Sequence, residues 1–589
     1  MKIDDRLSRR HFLGLLGAAA TSAMACSTQR PRQPLVTLVD EGSPFDEEHD
    51  VVVVGGGVIG GCTALFARDA GAATIIVEKA AAFGGTAAKS AGVYWVPRPL
   101  REGDARGLPS RDSSLRRYAR ASYPTRFDAN AARFGLSELD YELIAAVYDS
   151  TSTAVAKLGD MGALSSRPAA NRSGPMPDFL NDERNDVVPV DRRLRPAKRD
   201  GSLGSGDELV RQVAAAIAAR AIPVRTAHRV TAVVTNPEGA VVGIEAKRGD
   251  GSSVRIRARR AVVFATGGYT HDRDLVGTFQ PGPVYGSCAV PTNEGDFVYI
   301  ATALGARLGH MQSAWYAQVV LEQALRFPSL PDAVFMPPGD SMILVNRFGR
   351  RVVNEKANHN ERPQVHFQWD PTTRSWVNQV LFMVYDERSA EMFAGRFPLP
   401  SRGTTAPHVI RGETLDQLAT ALDKRLQKLE PRTGGVGLDI EFPDRLAASV
   451  KRFNKHAASG IDLDFDRGGR LQDRLFHSKV WSFPNRHTNW PANDKPNVTM
   501  YPFAEKGPYY AIILAAGTID THGGPVVDAH GRVLAADGAP ISGLYGAGNC
   551  VASPTGRACY GHGATLGPAL AFAYLAGTHA AAESEKPAG

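Results

Sequence analysis

The sequence predicts an α/β protein built on a Rossmann-like dinucleotide-binding unit, and three features carry that prediction. They are a β-branched run ending in GxGxxG near residue 50, an acidic residue closing the next strand, and two later glycine turns at strand ends. In the first, Val51-Val52-Val53-Val54 form an apolar strand and Gly55-Gly56-Gly57-Val58-Ile59-Gly60 supplies the turn into a helix. Gly55 permits the tight turn, Gly57 lets the backbone approach a pyrophosphate, and Gly60 lets helix and strand pack closely. The helix N-terminus then faces the phosphates. The second strand, residues 73–77, ends in Glu78-Lys79, and the Glu78 carboxylate can accept both ribose hydroxyls of an adenosine.

The remaining elements follow in chain order. The 589 residues, 43% hydrophobic, predict two or more domains. Residues 1–25 read as a twin-arginine export signal: Ser8-Arg9-Arg10-His11-Phe12-Leu13, a short apolar run, and a small-residue cleavage site at Ala23-Met24-Ala25. That address places the protein in the periplasm or cell envelope, and Cys26 after the cleavage point offers lipid modification as the one membrane attachment. Residues 26–47 form a linker. Residues 98–116 read as a surface loop, 138–158 as a helix, and 168–206, rich in Pro, Arg and Asp, as irregular and exposed. Strand patterns at 223–236, 241–247 and 253–257 predict a small antiparallel element leading into Ala265-Thr266-Gly267-Gly268.

Composition excludes several classes. The 68 basic and 61 acidic residues show no patch, so there is no nucleic-acid footprint. Cys26, Cys62, Cys288, Cys550 and Cys559 include neither CxxC nor CxxCH, which argues against an iron–sulfur centre, a zinc ribbon or a c-type haem. No metal-ligand spacing occurs among His271, His366 and His522. Electrons must therefore leave through a separate acceptor, a quinone or a redox protein. The second and third glycine turns, Ala265 to Gly268 and Gly543-Leu544-Tyr545-Gly546-Ala547-Gly548-Asn549, select FAD over NAD, because a single GxGxxG leaves no second nucleotide site.

Gly84-Gly85-Thr86-Ala87-Ala88-Lys89-Ser90-Ala91-Gly92-Val93-Tyr94-Trp95-Val96-Pro97 resembles the segment after the first βαβ unit in 3-ketosteroid Δ1-dehydrogenases, within the wider fumarate reductase and succinate dehydrogenase flavoprotein family. Lys506-Gly507-Pro508-Tyr509-Tyr510-Ala511, Gly523-Gly524 and Tyr560 through Ala569 continue the likeness. The resemblance implies a split architecture: a FAD-binding domain from residues 48–273 and 506–589, with an inserted α+β substrate-capping domain at 274–505. Expected FAD contacts are Gly55, Gly57, Gly60, Glu78, Lys79, Gly85, Thr86, Ser90, Ala91, Gly92, Val230, Ala265, Thr266, Gly267, Gly548, Asn549, Ala564, Thr565 and Leu566. The segment from Gly84 to Gly92 lacks the histidine that carries flavin covalently in the succinate-dehydrogenase branch, so FAD is expected to be non-covalent. Ala564 to Ala582 should form a buried helix whose N-terminus meets the flavin pyrimidine edge.

The resemblance also points to catalytic residues. Ser341 to Glu355 reads as strand, turn and strand ending in the family's Asn-Glu pair, and five residues after Asn354 stands His359. Ketosteroid dehydrogenases place a tyrosine base there, and soluble fumarate reductases an arginine acid. A histidine keeps a titratable group at that position. Tyr560, with the Gly563 N–H, would hydrogen-bond the substrate carbonyl, although the spacing is one residue short and His562 intervenes. Phe179 stands where the family has a supporting tyrosine. Trp315-Tyr316 and Trp369 suit either an apolar substrate pocket or core packing. Gly295-Asp296 keeps the family's turn.

The expected function is dehydrogenation of a CH–CH bond next to a carbonyl in a small-molecule substrate, with a 3-ketosteroid or similar cyclic ketone favoured. Fumarate-reductase-like reduction of an activated alkene is the alternative, with Arg350, Arg351 and Arg362 as carboxylate clamps. A flavin-bearing envelope protein without turnover is the other.

Overall fold

The computed structural model describes residues 35–39, 44–100, 109–169, 178–180, 192–331, 334–480, 484–485 and 488–587. Arg9, Arg10, Cys26 and most of the linker lie outside the described residues, as do 101–108, 170–177 and 181–191.

The chain opens with β1 (Glu47–Val54), α1 (Val58–Asp69) and β2 (Thr74–Val77), whose apolar runs are buried on both faces, as a sheet covered on each side requires. A helix, α2 (Glu138–Asp160), follows, capped by the Ser137 side chain on the Asp140 N–H. β3 (Ser253–Phe264) is the hinge of the main sheet. Its first half pairs antiparallel with Val241–Arg248, and its second half pairs parallel with β1 on one side and, later, with the strand Pro540–Gly546 on the other. The antiparallel strands expected as a small element are therefore part of one nine-stranded sheet, seven of whose strands run in the order Val36–Leu38, His228–Thr235, Val241–Arg248, β3, β1, β2, Val224–Arg225, with Pro540–Gly546 and Arg532–Leu534 branching from β3. Periodicity shows that a strand exists; it does not show which sheet receives it.

The inserted domain is a five-stranded antiparallel sheet that includes β4 (Ala314–Val320), β5 (Met342–Val345), β6 (Val380–Asp386) and β7 (Tyr509–Thr521). β7 lies between β4 and β6 and is buried along most of its length. The boundary expected at 505/506 thus falls before a strand that pairs wholly within the cap sheet, and the chain returns to the nucleotide sheet only after Thr521. It re-enters through β8 (Pro540–Gly546) and ends in α3 (Gly567–Ala582), which packs on α1 and α2. Small residues allow the close approach: a Cβ on Gly577 would lie 2.6 Å from the Thr63 carbonyl. No described helix is long and apolar enough to cross a membrane.

Two local expectations change. The loop expected over 98–116 gives way to a helix at Arg111–Ser122, because Ser110 caps the Ser113 N–H and Asp112 favours the helix N-terminus. The strand expected after β5 is a single bridge, Val345 to Arg351, since the intervening residues form a tight turn around Asn346.

Candidate active site and flavin cradle

The parallel register of β1, β3 and β8 brings all three glycine turns to the same sheet edge, the C-terminal ends of the strands, where such folds bind nucleotides. Gly55 has φ +113°, and a Cβ on it would stand 2.4 Å from the Ala265 carbonyl, so the first turn touches the second. A Cβ on Gly60 would stand 1.9 Å from the Gly55 carbonyl, the close helix packing anticipated above. Gly57 differs: a Cβ there meets nothing within 4 Å, which leaves an open cradle at the helix N-terminus. The Glu78 carboxylate is positioned by the Gly56 N–H at 2.5 Å and the Ala80 N–H at 2.6 Å. Thr266 Oγ1 is buried without a hydrogen-bond partner among the described residues. An open backbone cradle, an aimed carboxylate and an orphaned hydroxyl fit FAD.

Around this cradle the short helix Gly85–Lys89 ties the nucleotide domain to the cap: Thr86 Oγ1 accepts the Val290 N–H, and Lys89 donates to the carbonyls of Cys288 and Leu330. Ser90 Oγ accepts the Gly92 N–H at 3.0 Å, holding the turn that contains Ala91. Lys79, expected to meet FAD, points to the Glu294 and Asp296 carboxylates at 3.0 and 2.6 Å. Arg229, preceding buried Val230, joins Asp296 at 2.6 Å. Burial alone would raise the Asp296 carboxyl, but Lys79 and Arg229 hold it below its ordinary value.

Sequence reasoning missed Asp520. Its buried carboxylate accepts the Gly268 N–H at 3.0 Å, Asn293 Nδ2 at 2.8 Å and Asn549 Nδ2 at 3.1 Å, which binds the second and third glycine turns together. Burial pushes its pKa up to about 6. The only signal was its place three residues before Gly523-Gly524.

His359 is set by what surrounds it in the chain. Glu355, fully buried, binds Arg351 at 2.9 Å, Arg467 at 3.3 Å and the Leu344 N–H, which anchors the segment to β5. Asn358 Oδ1 accepts the N–H groups of Asn360 and Glu361, and Asn360 Oδ1 accepts the Tyr316 N–H. The Asn-Glu pair is thus a structural anchor that presents His359 inward. The His359 ring meets the Phe179 ring edge-on at 5.3 Å and lies 6.1 Å from the His562 ring. Phe179 and Phe476 flank His562 at 4.7 and 5.0 Å, and Phe335, Met336 and Arg362 complete the pocket. Burial and the nearby Arg362 push His359 down to about 3, and burial with His359 and Arg193 holds His562 well below its ordinary value. Both imidazoles are neutral at neutral pH.

Tyr560 is not in this pocket. Its hydroxyl is 2.8 Å from Ser122 Oγ, and its ring stacks on Tyr118 at 4.4 Å beside Trp95, all fully or nearly fully buried. The chain turns at Gly561, and His562 faces His359 instead. The one-residue offset in the sequence was the available signal. Phe179 comes to the pocket as expected; its N–H donates to the Tyr560 carbonyl, and Asp178 beside it pairs with Arg192 at 3.1 Å.

Two of the three expected clamp arginines are otherwise engaged. Arg351 is taken by Glu355 and Asp462, Arg350 is exposed, and Arg362 donates to Gln318, Ala357 and Phe335. Trp369 is half exposed in a small hairpin, while Trp315 Nε1 donates to Asn549 Oδ1 at 3.1 Å.

Residues 50–566 match the family model described as FAD binding domain. The chain is 30% identical over 568 residues to 4-oxocyclohexanecarboxylate 2-dehydrogenase of Sinomonas cyclohexanicum, covering 90% of this chain and 92% of that protein. It is also 30% identical to 3-oxosteroid 1-dehydrogenase of Mycobacterium tuberculosis, covering 92% of this chain and 99% of that protein. In fold it resembles the crystal structure of 3-ketosteroid Δ1-dehydrogenase from Sterolibacterium denitrificans, with a TM-score of 0.72 at 24% identity over 91% of this chain and all of that one. With the glycine turns, the aimed Glu78 and the open space at Gly57 accounted for by one cofactor, the chain belongs to the FAD binding domain family and is an FAD-dependent oxidoreductase.

Proposed function

We propose that the protein dehydrogenates a CH–CH bond beside the carbonyl of a cyclic ketone, with the His359–His562 pocket as the place of proton transfer. The observation that carries this reading is that two neutral imidazoles face each other across a phenylalanine-lined space. The walls are apolar, their rings must part to admit a ketone because the space between them is about 10 Å³, and the curated relatives are named for dehydrogenating a ring beside an oxo group. Bound FAD supplies the hydride acceptor. His359, neutral and buried, accepts the proton α to the carbonyl, its basicity raised from the value near 3 by the negative enolate charge that develops beside it. His562 and the Gly563 N–H hold the carbonyl oxygen as enolate charge develops, the part first assigned to Tyr560. Phe179 and Phe476 exclude water from the exchange.

The reductase alternative loses support because Arg351 and Arg362 spend their donors on the protein itself. FAD is held non-covalently on this reading, and the twin-arginine segment directs the folded holoprotein to the cell envelope. Anaerobic mixing of the yellow holoprotein with monocyclic ketones, 3-ketosteroids and dicarboxylates tests the proposal. Bleaching of the flavin by a ring ketone is expected; bleaching by none, with reoxidation of reduced flavin by fumarate, would replace it with the reductase reading.

A further inference from the structure

A cavity of about 440 Å³ lies outside the pocket just described and shares no lining residue with it. Its floor is apolar, formed by Leu139 and Leu143 of α2 with Leu308 and Val526. Its rim carries Arg126, Arg307 and His310. Arg126 is held over the Tyr123 ring at 4.5 Å and paired with Asp140 at 2.8 Å, while Arg307 is exposed at the mouth. His310 has φ +51°, a left-handed conformation that directs its ring to Tyr123 at 6.2 Å. An apolar chamber with a few placed donors is how proteins bind small planar ligands.

The cavity also adjoins the flavin cradle. Ala552, on its wall, is three residues after Asn549, so the two backbones are at most about 11 Å apart. A second line of contact runs through one backbone hydrogen bond and two side-chain contacts. Ser553, also on the wall, donates its N–H to the His522 carbonyl at 3.0 Å; the His522 ring lies 4.2 Å from the Trp315 ring; and Trp315 donates to Asn549.

We propose that this cavity is the site at which a quinone takes electrons from the reduced flavin. The chain holds no iron–sulfur or c-type haem motif, so an external oxidant must complete each cycle. A redox protein would dock on the outer surface and leave a chamber of this size unused, and a nicotinamide nucleotide would need a second phosphate cradle. A quinone needs what the cavity offers: apolar walls for its ring, and donors from Arg126, Arg307 and His310 for its two carbonyl oxygens. The balance is FADH⁻ + quinone + H⁺ → FAD + quinol. Two electrons pass from flavin to quinone, the flavin N5 proton is released, and the quinol hydroxyl protons come from solvent at the open mouth.

The reoxidation arm uses dithionite-reduced holoprotein and the binding arm oxidised holoprotein, so these two do not depend on the ketone reading; the ketone controls do. A water-soluble benzoquinone should reoxidise the wild type with saturation and bind the oxidised holoprotein measurably by calorimetry. Leu139→Trp, which fills the floor, and Arg307→Glu, which reverses the exposed charge, should each weaken quinone binding and slow reoxidation at least about 10-fold, with flavin content and anaerobic reduction by ketone unchanged. Wild-type binding and reoxidation in both variants would overturn the proposal. So would competition between quinone and ketone in the reductive half-reaction, which would place both in the His359 pocket.

Discussion

In the flavin cradle, three glycine turns at one sheet edge present backbone to the cofactor, whereas in the His359 pocket segments distant in the chain each contribute a ring. The cradle depends on the absence of side chains and the pocket on their presence. Each should therefore fail in its own way: a side chain added to the cradle removes the cofactor, and a side chain removed from the pocket leaves the cofactor in place without its chemistry.

The largest effect should come from Gly57→Val. No protein atom lies within 4 Å of the added Cβ, so the fold accommodates it, but the branched side chain occupies the pyrophosphate space. The variant should purify folded and colourless; retention of stoichiometric FAD would refute the cradle. His359→Ala should come next, with turnover reduced by about 10²–10⁴-fold at full flavin content, the usual size of general-base help. His562→Ala should reduce turnover by about 10²-fold through loss of a donor to the enolate oxygen.

Tyr560→Phe sharpens the contrast. Its hydroxyl meets Ser122 inside an aromatic layer, so the change should cost about 1 kcal/mol of stability in thermal or denaturant unfolding and alter turnover little. A loss as large as that of His562→Ala would return Tyr560 to the catalytic role first expected of it.

The smallest effect is a pH dependence of stability. Burial, with Arg362 beside the ring, holds His359 near 3, and burial holds His366 near 4, against an ordinary 6.5. Below pH 6.5 the unfolded chain takes up protons that these buried rings refuse, so stability should fall as pH drops from about 6.5 toward 3–4. Melting temperature measured from pH 7 to pH 5 checks this, and His359→Gln should flatten part of the slope.

The same contrast explains what was legible in the sequence. Glycine turns are local: each is specified within a few consecutive residues, and a parallel sheet brings their ends together, so Gly55 to Gly60, Glu78, Ala265 to Gly268 and Gly548-Asn549 could be read without coordinates. The ion pairs of Lys79 were not legible because its partners, Glu294 and Asp296, lie more than two hundred residues away. Asp520 was missed for the same reason, since its role appears only when the turns converge on it. In the pocket, His359 was placed by the family's Asn-Glu spacing, but that His562 and not Tyr560 lies beside it depends on which way the chain turns at Gly561. A shift of one residue in a loop reverses which side chain faces inward, and no periodicity constrains it.

The most direct test of the account is the anaerobic bleaching rate of bound flavin by a ring ketone in wild type and His359→Ala, at matched flavin content. The account predicts bleaching slowed by about 10²-fold or more in the variant. Bleaching at the wild-type rate would mean that the proton leaves by another residue and that the two facing imidazoles are packing alone.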